Sequence, residues 1–276
     1  MGLYQGRALR SEPLRPRPSR GRRFTQILKV LGVIIGLAGL AHLPWESWRK
    51  RFAVISKVSV AGAEYLDANR VAKLAGVDRG GDLFALDLAR ARQELLLHAR
   101  IAEAEVKRRG LRGVSIHITE RRPVLLVHHG VPWELDSTGV LLAPFTNGAV
   151  ADVPLLTGPD FETYPDGALL RTSEVRRGLE WVRALSSREI QLGGRVSEID
   201  VSDDRATTLL LMSGTRVISP AWPPDVRRLS ALRVTLVDLD QRGIAAQEVD
   251  LRFEDQVIVR PVVPSRTNVA TAASTS

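Results

Sequence analysis

The chain contains no cysteine among its 276 residues. It can therefore form neither a disulfide framework nor a metal site built on thiolates, and the redox state of its compartment stays undetermined. Three other signatures are absent: the G-x-S-x-G nucleophile turn, the phosphate-binding G-x-x-x-x-G-K loop and the H-E-x-x-H zinc helix. The sequence thus lacks the standard arrangements for a covalent nucleophile, a bound nucleotide and a zinc ion.

The histidines and the paired acids do not supply a catalytic site. His128 and His129 are neighbours on a predicted strand, where successive side chains face opposite ways and cannot share one metal. His117 alternates with two isoleucines, so we expect it to face solvent. The pair Asp203 and Asp204 is typical of a turn, since acid–base catalysis needs two groups that converge on one cleft. We therefore expect no enzymatic activity, no cofactor, no metal and no small-molecule substrate.

Acidic residues are scarce at the N-terminus. Residues 1–29 hold eight Lys or Arg and one Glu, a net charge of +7 out of +8 for the whole chain, so the remainder carries only +1. A nucleic-acid-binding surface is therefore not expected on the body of the protein. Residues 1–23, with prolines among the arginines, predict a disordered cytoplasmic tail that can lie against anionic lipid. Residues 264–276, rich in Ser, Thr and Ala, predict a second disordered tail.

One apolar run follows the basic tail. Residues 30–43 carry no formal charge, and extension to residues 24–45 gives the roughly 20 residues that a helix needs to cross a bilayer. Lys29 is close enough to the end for its ammonium to reach the headgroups, and Trp45 falls at the expected aromatic belt. The upstream arginines predict a cytoplasmic N-terminus. The sequence thus predicts a single-pass type II anchor in the cytoplasmic (inner) membrane, with the C-terminal domains in the periplasm or extracytoplasmic space.

Two other interpretations of this run stay open. A cleaved signal peptide also has a basic segment and a short apolar segment, and residues 39–41 supply small side chains for cleavage. The pair Arg22 and Arg23 is also a feature of twin-arginine signals. A buried core helix is the second alternative. The aromatic and basic residues after Leu43 favour an anchor.

Residues 54–122 predict a domain in the order strand, helix, helix, strand, strand. Asp67 and Asp87 are placed to cap the two helices, because an Asp side chain accepts hydrogen bonds from the free backbone N–H groups of a first helical turn. Alternation of apolar and polar residues predicts the strands, at residues 55–60, 102–107 and 114–120.

Four segments of this domain resemble one family: VSVAG at residues 58–62, GDLF at 81–84, the strand at 101–106 and IHITERRP at 116–123. The family is that of the bacterial division proteins FtsQ and DivIB, and the similarity is to their POTRA domain. Downstream, WELDSTG at residues 133–139 and VDLRF at residues 249–253 are similar to that family's Asp-x-x-Gly turn and C-terminal signature. The resemblance covers roughly residues 24–263.

The second domain, residues 123–263, is predicted to be α+β with a mainly antiparallel sheet. Strands are expected at residues 196–201, 207–212 and 216–218, and helices at residues 172–185 and 225–239. The residues expected on the buried faces of the helices are Leu179, Val182 and Leu185 in the first, and Leu229, Leu232 and Leu236 in the second.

The run at residues 256–260 predicts the last strand of this sheet, with an open edge that can accept a strand of another protein. In the FtsQ family, the resemblance implies that this end binds the periplasmic segment of FtsB, itself paired with FtsL. The residues to which we carry that role are Phe253, Val257, Val259 and Arg260, with Arg227 on the neighbouring helix as an acid-binding contact. The alternative is that Phe253 and Val257 pack in the core.

The joint between the two domains contains Glu120, Arg121 and Arg122. Glu120 with Arg121 is expected to fix the angle between the domains, and the POTRA sheet edge with Arg121 and Arg122 could bind further membrane division proteins. A charged pair at such a joint is otherwise a solvated hinge.

The resemblance implies a non-enzymatic divisome scaffold that recruits and links division proteins at the septum. Two alternatives remain: a POTRA-containing component of an export or envelope-assembly machine, and a membrane-anchored cell-wall enzyme. The first lacks the repeated amphipathic strands of a membrane barrel, and the second lacks a nucleophile or metal set.

Overall fold

The computed structural model describes residues 20–41, 54–145 and 148–262. Helix α1 (Arg20–Ala41) includes residues 20–23, which were predicted to belong to the disordered tail. Residues 42–45 of the predicted anchor, residues 1–19 of the first predicted tail and the second predicted tail, residues 264–276, lie outside the described residues. Within the described ranges, no helix has the length and apolar character needed to span a bilayer. Helix α1 belongs to the compact unit Met1–Val54, and all other elements below belong to the unit Ile55–Ser276.

The domain at residues 54–122, called the POTRA domain below for its resemblance, has the predicted order of strand, helix, helix, strand, strand. Strand β3 lies in the middle of its sheet, parallel to β1 and antiparallel to β2. The elements are β1 (Lys57–Ala61), α2 (Ala68–Leu74), α3 (Leu88–Leu96), β2 (Ile101–Arg109) and β3 (Gly113–Glu120).

Both helices of this domain start where their capping residues predict. The side chain of Asp67 accepts hydrogen bonds from the backbone N–H groups of Asn69 and Arg70, and Asp87 does the same for the start of α3. Each cap satisfies donors that have no partner inside the helix. Val71 of α2 and Leu95 of α3 are fully buried in the domain core. His117 is exposed, as its alternation with buried Ile116 and Ile118 predicts.

The second domain is α+β and holds a nine-stranded sheet within the described residues, in the order β12-β11-β10-β9-β8-β7-β4-β5-β6. Five of its eight strand pairs are antiparallel and three are parallel. The first strands are β4 (Pro123–His129), β5 (Val131–Asp136), β6 (Leu141–Leu142) and β7 (Leu155–Thr157). Then follow α4 (Ser173–Leu185), a 3₁₀ turn (Gly193–Arg195), β8 (Val196–Asp200), β9 (Ala206–Leu211), β10 (Arg216–Pro220), α5 (Val226–Arg242), β11 (Ala246–Asp250) and β12 (Ile258–Pro261).

Helices α4 and α5 cover a core on one side of this sheet. Leu229, Leu232 and Leu236 of α5 are buried as predicted. On α4 the buried face is centred on Trp181, which is fully buried and donates its indole N–H to the carbonyl of Ala221 at 3.0 Å. Because Trp181 lies at the centre of that face, Leu179 and Val182 are only partly buried at its sides, although both were expected to be buried; Leu185 is buried.

Among the glycines of the POTRA domain, Gly62, directly after β1, leaves the least room for a side chain. Its φ is +82°, and an added Cβ would lie 1.9 Å from the carbonyl oxygen of Ile118. We expect Gly62→Ala to lower the free energy of unfolding by about 3 kcal/mol or more, because backbone strain and a clash with backbone add together. Urea unfolding, with hydrogen exchange of the β3 amides as the readout, measures this change in the free energy of unfolding.

Gly76→Ala is the matched control. Gly76 has a φ of +64°, but nothing lies within 4 Å of its added Cβ, so only the strain of about 1–2 kcal/mol is expected. Equal losses for the two variants would contradict the close packing of Gly62 against β3.

Candidate functional site

Strand β12 forms one edge of the nine-stranded sheet. It pairs antiparallel with β11, and no other described strand pairs with it. The strand predicted at residues 256–260 is observed from Ile258 to Pro261, so Val257 precedes it and Pro261 ends it. Proline is tolerated at an edge because its missing N–H need not face a neighbouring strand.

The backbone of Val259 points away from β11. The N–H of Val262 donates to the carbonyl of Ala245 at 2.8 Å, so Val262 faces the β11 side of the strand pair. Because the hydrogen-bonding side alternates from residue to residue in an antiparallel pair, Arg260 also faces β11 and Val259 faces outward. The outward side of β12 therefore offers the N–H and C=O of Val259 to an incoming strand.

The opposite edge of the sheet is covered. Strand β6 contains only two residues, and the segment after β7 lies against it. The N–H of Leu141 donates to the carbonyl of Ala168 at 2.9 Å, and the N–H of Gly167 donates to the carbonyl of Leu141 at 2.8 Å. Of the two edge strands, β12 is thus the one whose outward N–H and C=O groups have no partner strand among the described residues.

Side chains of β12 and its approach divide between two environments. Val257 and Val259 are partly buried and pack against the core, whereas Ile258 and Arg260 are exposed. Phe253 is 49% exposed, so the interpretation of this ring as a core side chain is wrong, while Val257 does pack against the core. Sequence reasoning missed Ile258, an exposed apolar side chain that the alternation with its two valine neighbours could have revealed.

Carboxylates of β11 hold three arginines beside this edge. Glu248 lies 3.2 Å from Arg260 and 3.3 Å from Arg216. Asp250 accepts hydrogen bonds from the backbone N–H of Arg252 at 2.9 Å and from its guanidinium at 2.7 Å. The hydrogen bond from the Arg252 side chain is the largest cause that lowers the pKa of Asp250. This pairing shapes the turn that leads from β11 to Phe253.

Arg227 and Val257 line one groove of about 430 Å³, between the start of α5 and the turn before β12. Asp225 caps α5 by accepting from the N–H of Arg228 at 2.8 Å, which places Arg227 in the first turn of the helix, where it is exposed. Asp225, Glu254 and Asp255 also line the groove, so its charge is mixed. Phe253, Val259 and Arg260 are not among its lining residues. The structure thus brings together two of the five predicted partner-binding residues in one groove.

Arg228 also lines this groove and was missed by sequence reasoning. Its Nη1 lies 3.5 Å from the carbonyl of Leu251, and its buried Nε has no hydrogen-bond partner among the described residues. Nothing in its sequence context distinguishes it from Arg227, which precedes it.

At the joint between the domains, Glu120 and Arg121 have different partners. The carboxylate of Glu120 is buried and accepts hydrogen bonds from the backbone N–H groups of Glu64, Tyr65 and Leu66 at 3.0–3.1 Å. It therefore organises the loop after β1 inside the POTRA domain. A solvated hinge does not describe this buried group.

Arg121 joins the two domains directly. Its guanidinium donates to Asp136 of β5 at 2.8 Å and to the carbonyl of Ala99 at 3.0 Å. Arg122, in contrast, forms a solvent-exposed pair with Glu64 at 2.9 Å.

A second, more deeply buried ion pair crosses the joint. Arg100 lies 2.7 Å from Glu134 of β5, and the two side chains are 8% and 2% exposed. The guanidinium also donates to the carbonyl of Ala143 and lies 3.5 Å from the centre of the Phe145 ring. Sequence reasoning missed this pair, because Arg100 lies in the turn before β2, Glu134 lies in β5, and neither local sequence points to the other.

Two family models match the chain. POTRA domain, FtsQ-type, matches residues 54–121, and Cell division protein FtsQ/DivIB, C-terminal, matches residues 125–252. The Cell division protein FtsQ of Salinibacter ruber is 30% identical over 258 residues, which cover 84% of this chain and 93% of the relative. That of Rhodothermus marinus is 30% identical over 250 residues, 87% of each chain. The chain belongs to the FtsQ/DivIB family of cell division proteins.

The resemblance noted in the sequence is thus confirmed in both halves of the FtsQ/DivIB architecture. A further relative, the Cell division protein FtsQ of Geotalea daltonii, is 27% identical over 214 residues, 76% of this chain and 77% of the relative. Within the described residues, no group of three or more His, Cys, Asp or Glu side chains is arranged to hold a metal ion.

Acid should weaken the turn held by Asp250. Because folding depresses the pKa of this carboxyl below its ordinary 3.8, its stabilisation is present above that pH and is lost as the pH falls through the lower folded value. We expect Asp250→Asn to lower the urea midpoint of the second domain at pH 7, and the difference from the native chain to shrink below pH 3.8. Tryptophan fluorescence reports the midpoint. A difference that does not change with pH would contradict this role.

Proposed function

We propose that this FtsQ/DivIB family member is a non-enzymatic scaffold of the divisome, which recruits and links division proteins at the septum. In this proposal the outward side of β12 receives a strand from an FtsB/FtsL-like complex. Its activity is recognition of partners rather than chemistry. Membership of a cell-division family supports the role.

One observation carries the mode of binding: the N–H and C=O of Val259 point outward, at an edge where β11 is the only described strand that pairs with β12. An added strand would gain affinity from the backbone groups and specificity from neighbouring side chains. Ile258 and Arg260 would meet it on the exposed face of the sheet. Arg227 would receive an acidic side chain of the partner, since guanidinium–carboxylate pairs form short, charge-assisted hydrogen bonds.

Membrane anchoring through residues 24–45 is part of the proposal. The apolar run, the arginines before it and the tryptophans after it support an inner-membrane anchor with a cytoplasmic N-terminus. The large apolar side chains of α1 are also exposed, such as Ile27, Ile35 and Leu37 at 63% each. An exposed apolar stretch of this kind needs lipid or a protein to cover it.

Val259→Pro tests the edge directly. Proline removes the outward N–H without removing a bond to β11, so the partner strand loses one backbone donor and leaves an acceptor unpaired. We expect binding of the FtsB/FtsL-like complex to weaken about tenfold or more. Affinity is measured with the full chain in detergent micelles or nanodiscs, and circular dichroism checks that the fold is retained.

Val259→Ala is the control. It keeps the N–H and loses a similar amount of packing against the core, so it should bind within about threefold of the native chain. Unchanged binding by Val259→Pro, or equal losses for the two variants, would contradict strand addition at this edge.

We also propose that Arg121 and Arg100 hold the POTRA domain at a fixed angle to the second domain. Removing one partner of a mostly buried ion pair leaves the other charge uncompensated. Because the chain has no native cysteine, spin labels can be attached at introduced cysteines, Phe84→Cys and Met212→Cys, whose parent side chains are 59% and 63% exposed. We expect Arg121→Ala to broaden the distance distribution between the two labels.

Arg122→Ala serves as the comparison, because its pair with Glu64 is solvent-exposed and lies within the POTRA domain. It should leave the distribution unchanged. An equally narrow distribution in Arg121→Ala would show that the ion pair with Asp136 does not restrain the joint.

A further inference from the structure

The turn between β2 and β3 carries an exposed apolar side chain at its tip. Leu111 is 81% exposed, and Gly110 before it adopts a φ of +65° that lets the chain reverse direction. Gly113 begins β3 and lies opposite Arg109 of β2. The tip, defined here as residues 109–113, therefore projects one leucine between Arg109 and Arg112.

Basic residues are concentrated in the segments next to this leucine. The segments 55–57 and 107–113 contain five Lys or Arg and no acid. Arg108 uses its guanidinium to hold the carbonyls of Leu83 and Leu86, and Lys107 lies 2.5 Å from Glu105. Lys57, Arg109 and Arg112 are exposed and line one shallow cleft of about 290 Å³.

The start of β1 lies at the same end of the POTRA sheet as the tip. Lys57 is paired with Gly113 in the parallel register of β1 and β3, and the backbone N–H of Ser56 donates to the carbonyl of Arg112 at 2.9 Å. The chain that enters β1 therefore arrives beside Leu111 and its arginines.

We propose that this tip binds the anionic phospholipid surface of the outer leaflet of the cytoplasmic membrane. Leu111 enters the interface between headgroups and acyl chains, and Lys57, Arg109 and Arg112 bind lipid phosphates. The proposal rests on the anchor proposed above. Residues 46–56 alone separate that anchor from β1, and an extended chain advances at most about 3.6 Å per residue, so this end of the sheet stays within about 40 Å of the bilayer.

The shape and composition of the tip favour lipid over a protein segment. A specific protein interface buries on the order of 1,000 Å² or more around a central apolar cluster, whereas the tip offers one exposed leucine between two arginines in the sequence. A single apolar side chain with adjacent basic residues suits the boundary between headgroups and acyl chains. Trp48, Arg49, Lys50 and Arg51, in the preceding segment, have the same interfacial chemistry in sequence.

A fluorescent probe at the tip of the full chain can report contact with lipid. Because the chain has no native cysteine, one introduced cysteine can be labelled specifically. Leu111→Cys is labelled with an environment-sensitive fluorophore, and the chain is reconstituted into vesicles that contain phosphatidylglycerol and a quencher at the headgroup. We expect quenching of the probe, and its loss at high salt, since salt screens the attraction between exposed charges. Arg109→Gln with Arg112→Gln should lower the ratio of docked to free tips about 25-fold, at roughly fivefold for each basic residue.

Leu97→Cys is the matched control. Leu97 is 80% exposed and precedes β2, at the opposite end of the sheet from the tip, so its probe should not be quenched. Extraction of the vesicles with carbonate tests the anchor separately. Release of the chain by carbonate would contradict the membrane anchor proposed at residues 24–45. A chain that stays inserted, but whose Leu111 probe is quenched no more than the Leu97 probe, overturns the tip proposal. Shielding of the Leu111 probe only after division partners are added overturns it in favour of a protein contact.

Discussion

The hydrogen-bonding requirement of the β-strand is the constraint that distinguishes the two edges of the nine-stranded sheet. A strand carries N–H and C=O groups on both of its sides, so an open sheet must leave one side of its last strand without a partner strand. At β6 the segment around Gly167 and Ala168 supplies those partners. At β12 no described strand does, and Val259 faces outward. Such an open side is an aggregation hazard in many proteins; in the function proposed above, it serves as the recognition surface.

The short joint between the two domains bears on how the POTRA domain is oriented relative to the sheet that ends in β12. Strand β3 ends at Glu120 and β4 begins at Pro123, so Arg121 and Arg122 form the whole connection between the domains. A two-residue connection alone would permit rotation, but Arg121 and Arg100 both reach carboxylates of β5. Because the two acids lie on a strand inside the nine-stranded sheet, the restraint proposed for Arg121 and Arg100 would couple the orientation of the POTRA domain to the sheet that ends in β12.

Local chemistry was readable from the sequence, and contacts between distant residues were not. The caps Asp67 and Asp87 act within three residues, so their patterns suffice to locate two helices. The last strand was predicted at residues 256–260 and is observed from Ile258 to Pro261, because alternation of side chains does not fix where pairing with β11 begins. Glu120 was expected to act with Arg121 on the angle between the domains; its role in holding the loop after β1 was not foreseen, since its three backbone donors lie more than fifty residues earlier in the chain. The exposure of Phe253 depends on the turn held by Asp250, which periodicity does not describe.

Hydrogen exchange of the Val259 amide tests most directly whether β12 receives a strand of the partner. It is measured in the full chain, with and without the FtsB/FtsL-like complex. In the free chain this N–H points away from β11 and should exchange rapidly, while that of Arg260 is protected. Strand addition predicts strong protection of Val259 when the complex binds. Binding that leaves the exchange of Val259 unchanged would show that the partner is received elsewhere on the protein.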